Sequence, residues 1–206
     1  MGQGCGHHHF HENDLEKGRF RRVLWAVLII NGVMFLAEFS MAFWAKSAAL
    51  QADALDFLGD AVTYGVTLMV LNSALRTRAI VAMLKGISMG VLGLWVLYRA
   101  FYYMISGDIP IAEAMGVMGG IAFVANVVCA WLLFHYRSGD SNMQSVWLCS
   151  RNDALGNLAI IIAASGVFAT GTGWPDFIVA MIMAGLAISA SIQIVKQARL
   201  EMKITS

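Results

Sequence analysis

The chain has 206 residues, 59% of them hydrophobic and only 13% charged, and its mean hydropathy is +0.68. Soluble domains run at roughly 25% charged residues, and so short a chain cannot hide this much apolar surface in a water-soluble core. A net charge of +1 points neither to nucleic acid nor to a polybasic tether, and three widely spaced cysteines imply no disulfide framework.

In chain order, the first segment is a polar tail, CGHHHFHEND, carrying Cys5, His7, His8, His9 and His11. It lacks the charged start and immediate apolar run of a secretory signal, and MGQGCG lacks the Ser or Thr at position 6 of a myristoylation signal. Imidazoles at this density collect Zn²⁺, Ni²⁺ or Cu²⁺ on a tail; the plainer reading is an incidental solvated segment. Six membrane spans follow, at about 23–45, 48–75, 86–105, 114–136, 143–169 and 176–197, each near the ~20 apolar residues a spanning helix needs. Their continuous apolar runs are not the ~10-residue alternating segments of a β-barrel. The expected fold is an all-α integral membrane protein. Its expected parts are a polar tail over 1–22, a six-helix transmembrane domain over 23–198 and a short tail over 199–206, with no cytoplasmic domain after the last span.

Orientation follows from the basic residues. Eleven lysines and arginines, from Lys17 to Lys203, fall on the side shared by both ends, and Lys46 alone falls on the other. The positive-inside rule puts both termini in the cytoplasm.

Ionisable groups inside a bilayer are costly and usually functional. The second span carries Asp53, Asp56 and Asp60 in ADALDFLGD. At about 100° per residue, Asp56 and Asp60 fall about 60° and about 20° behind Asp53, so all three share one face. Three carboxylates facing one interior point need a cation there, either shared protons or a metal. The fifth span offers Cys149, Asp153 and Asn157 at successive turns of CSRNDALGN. A thiolate and a carboxylate four residues apart can clasp one ion, and two such pairs on facing helices make a four-ligand site. Cys149 is equally readable as a small buried hydrophobe. Asp53, which precedes the Asp56–Asp60 pair, reads better as a proton-handling or hydrogen-bonding neighbour than as a ligand.

On these residues the sequence resembles the cation diffusion facilitators, from about Arg22 to Glu201. SAALQADALDFLGD is similar to the family's second-helix pattern S-x-A-L-x-x-D-A-x-[HD]-x-x-x-D, which implies Asp56 and Asp60 as ligands. The fifth-helix pattern H-x-x-x-D, anchored on DALG, implies Asp153 as a ligand and puts Cys149 where the family has histidine. The stretch from Ala125 to Asn157 and Asp176 at the start of the sixth span follow the family as well. The resemblance implies export of a divalent transition metal, usually Zn²⁺, in exchange for incoming protons, by a homodimer in the inner or plasma membrane. It also implies a C-terminal cytoplasmic domain, which is not expected after the sixth span here. Cys149 as a ligand favours Zn²⁺ with Cd²⁺ accepted; an oxygen-rich site using Asp53 or Asn157 opens Mn²⁺, Fe²⁺, Co²⁺ and Ni²⁺.

Other residues carry smaller expectations. Glu38 accepts interhelical hydrogen bonds or protons, Arg99 snorkels to the outer interface, and His135 sits at the cytoplasmic interface. Arg151 faces water or a carboxylate. Gly86, Gly90 and Gly93 on one face of the third span permit close helix approach, including a homodimer contact. An intramembrane metalloenzyme is disfavoured, since no histidine lies deep in a span and H-E-x-x-H is absent. A membrane metal sensor that binds without moving ions remains the alternative to a transporter.

Overall fold

The computed structural model describes residues 8–70, 75–135 and 141–204. These form six helices: α1 (His8–Trp44), α2 (Ala48–Val70), α3 (Leu75–Ser106), α4 (Ala112–Phe134), α5 (Ser141–Thr170) and α6 (Trp174–Ile204). Five contain stretches long and apolar enough to cross a membrane: Gly18–Trp44, Ile80–Ser106, Ala112–Phe134, Ser150–Thr170 and Trp174–Leu200. The exception is α2. Its 23 residues span about 35 Å at 1.5 Å per residue, enough for a bilayer, but its three aspartates break the apolar run. It survives in the membrane because α1, α3, α5 and α6 all pack on it. The protein is thus a multi-pass helical membrane protein.

Its helices pair as α1 with α2, α4 with α5 and α3 with α6. The first two pairs form a four-helix bundle, and α3 and α6 lie against it as a separate pair. Alanines set the closeness of the bundle: Ala42, Ala45, Ala48, Ala49, Ala122, Ala163 and Ala164 are buried around Leu50, Phe57, Met115 and Ile160. This cluster fills the outer half. A second one, of Phe20, Leu24, Val27, Tyr64, Cys129 and Leu133, fills the cytoplasmic end. Residues such as Ile29, Leu36, Trp131, Ile162 and Phe168 stay exposed on the outside of the helices, where lipid replaces water and no burial is needed.

The outer turns are short. Gly107 and Gly171 have φ of +70° and +62° and close the ends of α3 and α5 in the left-handed conformation that a Cβ disfavours. Lys46, the lone outer cation, donates to Asp108 at 2.6 Å, and this partner raises the lysine's pKa above its ordinary value. Asp176, buried at the start of α6, accepts from Ser47 Oγ (2.6 Å), Ala48 N (2.9 Å) and Ala49 N (3.2 Å). One carboxylate therefore satisfies the orphan donors at the N-terminus of a different helix, α2, where the helix dipole also favours negative charge.

Arg99 extends towards the outer ends of α1 and α3: its guanidinium lies over the rings of Phe43, Tyr102 and Tyr103, at 5.5, 5.6 and 4.4 Å from their centroids. It also donates to the hydroxyl of Tyr103, which in turn accepts from Gln51 Nε2 at 3.0 Å. The aromatic faces hold the cation there. The glycine face of α3 is covered by α6 of the same chain. A Cβ at Gly86 would sit 3.0 Å from Ile194 and Val195, one at Gly90 2.6 Å from Ser191 Oγ, and one at Gly93 3.0 Å from Ile188. Ser191 uses that closeness to donate to the carbonyl of Gly86 at 2.6 Å. The close approach is real, but it is intramolecular and leaves this face no room for a second copy.

Candidate metal site

Between the two apolar clusters lies a polar layer drawn from all four bundle helices. Helix periodicity puts Asp53, Asp56 and Asp60 on the interior side of α2, and the structure sorts them into three environments.

Asp60 faces α5. Its side chain is within hydrogen-bonding reach of Asp153, and Tyr64, one turn further along α2, donates to Asp60 Oδ2 at 2.5 Å. The Tyr64 hydroxyl also lies 3.3 Å from Ser150 Oγ on α5. Two carboxyls this close repel unless a proton or a cation sits between them.

Asp53, seven residues nearer the outer side than Asp60, belongs to a different chain of contacts. It accepts from Asn157 Nδ2 at 2.5 Å, and Asn157 Oδ1 accepts from Asn126 Nδ2 of α4 at 3.0 Å. On its other side lies Glu38 of α1. Glu38 is fully buried, and among the described residues no donor other than the Asp53 carboxyl reaches its oxygens. Asn126, Asn157, Asp53 and Glu38 thus link α4, α5, α2 and α1 in one buried polar row.

Asp56 stays close enough to Asp53, Asp60 and Asp153 for their charges to interact. It lines a cavity of about 250 Å³ between α2, α3 and α6, together with Gly59, Lys85, Ser88 and apolar side chains. Among the described residues, no three His, Cys, Asp or Glu side chains lie close enough to hold one ion. The structure therefore brings Asp60 and Asp153 together, joins Asp53 to Asn157, and places Asp56 on the cavity wall.

The side chain of Cys149 lies outside the described residues, and so do Cys5 and His7. His8, His9 and His11 belong to α1 by their backbone, and their side chains also lie outside. His135 follows the last turn of α4. Arg151 is exposed on α5 and donates to Asn152 Oδ1 at 3.1 Å.

Several residues of this layer escape a reading of the sequence. Tyr64 had a usable signal, since a tyrosine four residues after an intramembrane aspartate sits directly above it on the helix. Asn126 and Asn31, whose amide reaches Cys129 Sγ at 3.7 Å, had only their polarity. Lys85 looked like a loop cation, yet α3 begins at Leu75 and carries it inward.

Acidic residues on two facing helices in the middle of a membrane bundle are the expected layout of a cation pathway. A family model described as the cation efflux transmembrane domain matches residues 24–202. The chain belongs to the cation efflux family.

This family is one of membrane transporters rather than enzymes. Among relatives of this cation efflux chain, the metal cation efflux system protein CzcD of Cupriavidus metallidurans is 24% identical over 192 residues, covering 87% of this chain and 59% of CzcD. The cadmium, cobalt and zinc/H(+)-K(+) antiporter of Bacillus subtilis is 24% identical over 208 residues, 93% of this chain and 64% of the relative. The zinc transporter ttm-1 of Caenorhabditis elegans is 26% identical over 138 residues, 60% of this chain and 33% of the relative. The chain thus spans at most 64% of the length of these three.

Proposed function

We propose that this chain exports a divalent transition-metal ion from the cytoplasm in exchange for protons, with Zn²⁺ the principal cargo and Cd²⁺ also carried. The contact of Asp60 with Asp153 across α2 and α5 carries the reading. It supplies carboxylate oxygens from two helices at one buried point, with Asp56 and Cys149 one turn from each in sequence to complete four ligands. Metal binding requires deprotonated ligands, so loading expels protons and protonation expels metal. Alternating access would then expose the loaded site to each side in turn. The relatives' names support the cargo class: one names cadmium, cobalt and zinc with H⁺ and K⁺, another zinc.

The thiol of Cys149 directs the preference towards Zn²⁺ and Cd²⁺. The oxygen-rich described residues favour a second reading, with Cys149 as packing and Mn²⁺, Fe²⁺, Co²⁺ or Ni²⁺ as cargo. The working form is a homodimer in the inner or plasma membrane, and Cys5 with the histidines at 7, 8, 9 and 11 gathers metal on the cytoplasmic side.

Flux into proteoliposomes holding a pH-sensitive dye tests this. Uptake of Zn²⁺ and Cd²⁺ with counter-moving protons is expected. Uptake of Mn²⁺ or Co²⁺ alone would favour the second reading. Metal binding with no flux would make the protein a sensor and remove the transport reading.

A further inference from the structure

Lys85 is the one basic residue among those lining the cavity that Asp56 faces. It lies within the apolar stretch Ile80–Ser106, about 8 Å inward from its cytoplasmic start at 1.5 Å per residue. An ammonium at that depth is costly against lipid and needs an internal partner. Its stem is long enough to snorkel back to the cytoplasmic interface, but it does not take that course. The Lys85 Nζ donates to Thr63 Oγ1 of α2, one turn beyond Asp60. Thr63 spends its own hydrogen on the carbonyl of Gly59 at 2.6 Å, which leaves its oxygen lone pairs to accept from the lysine. Thr63 and Asp60 are three residues apart on α2 and so neighbours on its surface, which brings the Lys85 ammonium to the acidic face. A tethered cation thus stands on α3 between the cavity and the acidic face of α2.

We propose that Lys85 is a specificity-determining residue, a built-in counter-cation that offsets the Asp56–Asp60 carboxylates when no metal is bound and that only a divalent ion displaces. The inference rests on the metal-export reading above. A monovalent ion entering the cavity would replace one positive charge by another and gain no Coulomb energy. A divalent ion doubles the charge opposite the same carboxylates, and at these short distances each added charge is worth several-fold in affinity even at a protein-like dielectric. The lysine therefore rejects Na⁺ and K⁺, and it also weakens metal binding enough for release. The charge, not the hydrogen bond to Thr63, is what acts, so arginine should substitute for it.

The test is Zn²⁺ flux into proteoliposomes by wild type, Lys85→Gln, Lys85→Met and Lys85→Arg, with and without K⁺ at about 0.15 M. Size-exclusion profiles identify folded protein, and the methionine variant serves if the glutamine variant does not fold. Expected in the neutral variants is a KM for Zn²⁺ lowered about tenfold, a difference of about 1.4 kcal/mol, with a lowered kcat and a new inhibition by K⁺. Lys85→Arg should keep wild-type KM and stay insensitive to K⁺. A merely structural lysine would instead lower kcat or yield with KM unchanged. Neutral variants with wild-type KM and no K⁺ inhibition would overturn the proposal, and so would an arginine variant that matches the neutral ones. Absence of Zn²⁺ flux in wild type would overturn the export reading and this inference together, so the two failures are distinguishable.

Discussion

Tyr64 donates its phenolic hydrogen to Asp60 Oδ2 at 2.5 Å across one turn of the same helix, while Asp153 approaches Asp60 from α5. Asp60 is therefore oriented by its own helix and completed by another. Outer partners of this kind typically matter 10–100-fold for metal affinity. Tyr64→Phe should raise KM for Zn²⁺ about tenfold with little change in folding, read by proteoliposome flux and size exclusion. An unaltered KM would mean that Asp153 alone positions the carboxylate.

Asp56→Ala and Asp60→Ala should each abolish metal flux. Both variants should fold, because removing one acid from a cluster of repelling acids relieves repulsion and leaves Lys85 the other carboxylate as its counter-charge. Melting temperatures in detergent should be equal to or above wild type. Retained flux in either variant would remove that residue from the site.

Cys149→Ser exchanges a soft ligand for a hard one at the same turn of α5. The Cd²⁺/Zn²⁺ ratio of transport rates should fall, since Cd²⁺ depends more on sulfur. A constant ratio would assign the thiol to packing.

Asp176→Ala strands Ser47 Oγ and the amides of Ala48 and Ala49, all buried. With a lost cap and unsatisfied donors, about 3 kcal/mol of stability should go. Thermal unfolding in detergent reads it directly, and Asp176→Asn should fall between the two.

Gly90→Ala puts a Cβ 2.6 Å from Ser191 Oγ and so disturbs the bond from Ser191 to Gly86. A loss of about 1–3 kcal/mol is expected from such overpacking. Gly120→Ala, where nothing lies within 4 Å, should be neutral or stabilising by the helix propensity gained. Equal melting temperatures for the two variants would contradict the packing of α3 on α6.

Much of this architecture was legible in the sequence because a bilayer leaves few options. Apolar run lengths gave the helices and basic residues gave the orientation. The expected third span begins at 86, about three turns after α3 begins at Leu75, because Arg76, Arg78 and Lys85 look like loop residues, although a helix can run on past the membrane and can carry a lysine within its apolar stretch. The acidic face of α2 was readable from spacing alone. Which of its members meets what was not: Asp53 pairs with Asn157, Asp60 with Asp153, and Asp56 with a cavity, and these depend on the relative rotation and height of neighbouring helices. The same limit applies to α3. Periodicity showed that Gly86, Gly90 and Gly93 share a face, but not that α6 covers it. The aromatic partners of Arg99 were not readable either, since Phe43 comes from another helix.

The bond set around Asp176 also bears on movement. It ties the first turn of α2 to the first turn of α6 at the outer rim, whereas the same helices are parted by a cavity nearer the cytoplasm. A tie at one end and a gap at the other define a fulcrum and a lever arm. Swinging the α3–α6 pair against the bundle displaces Asp176 least and Lys85 far more, so the fold places its steadiest point outside and its widest travel beside the acidic face.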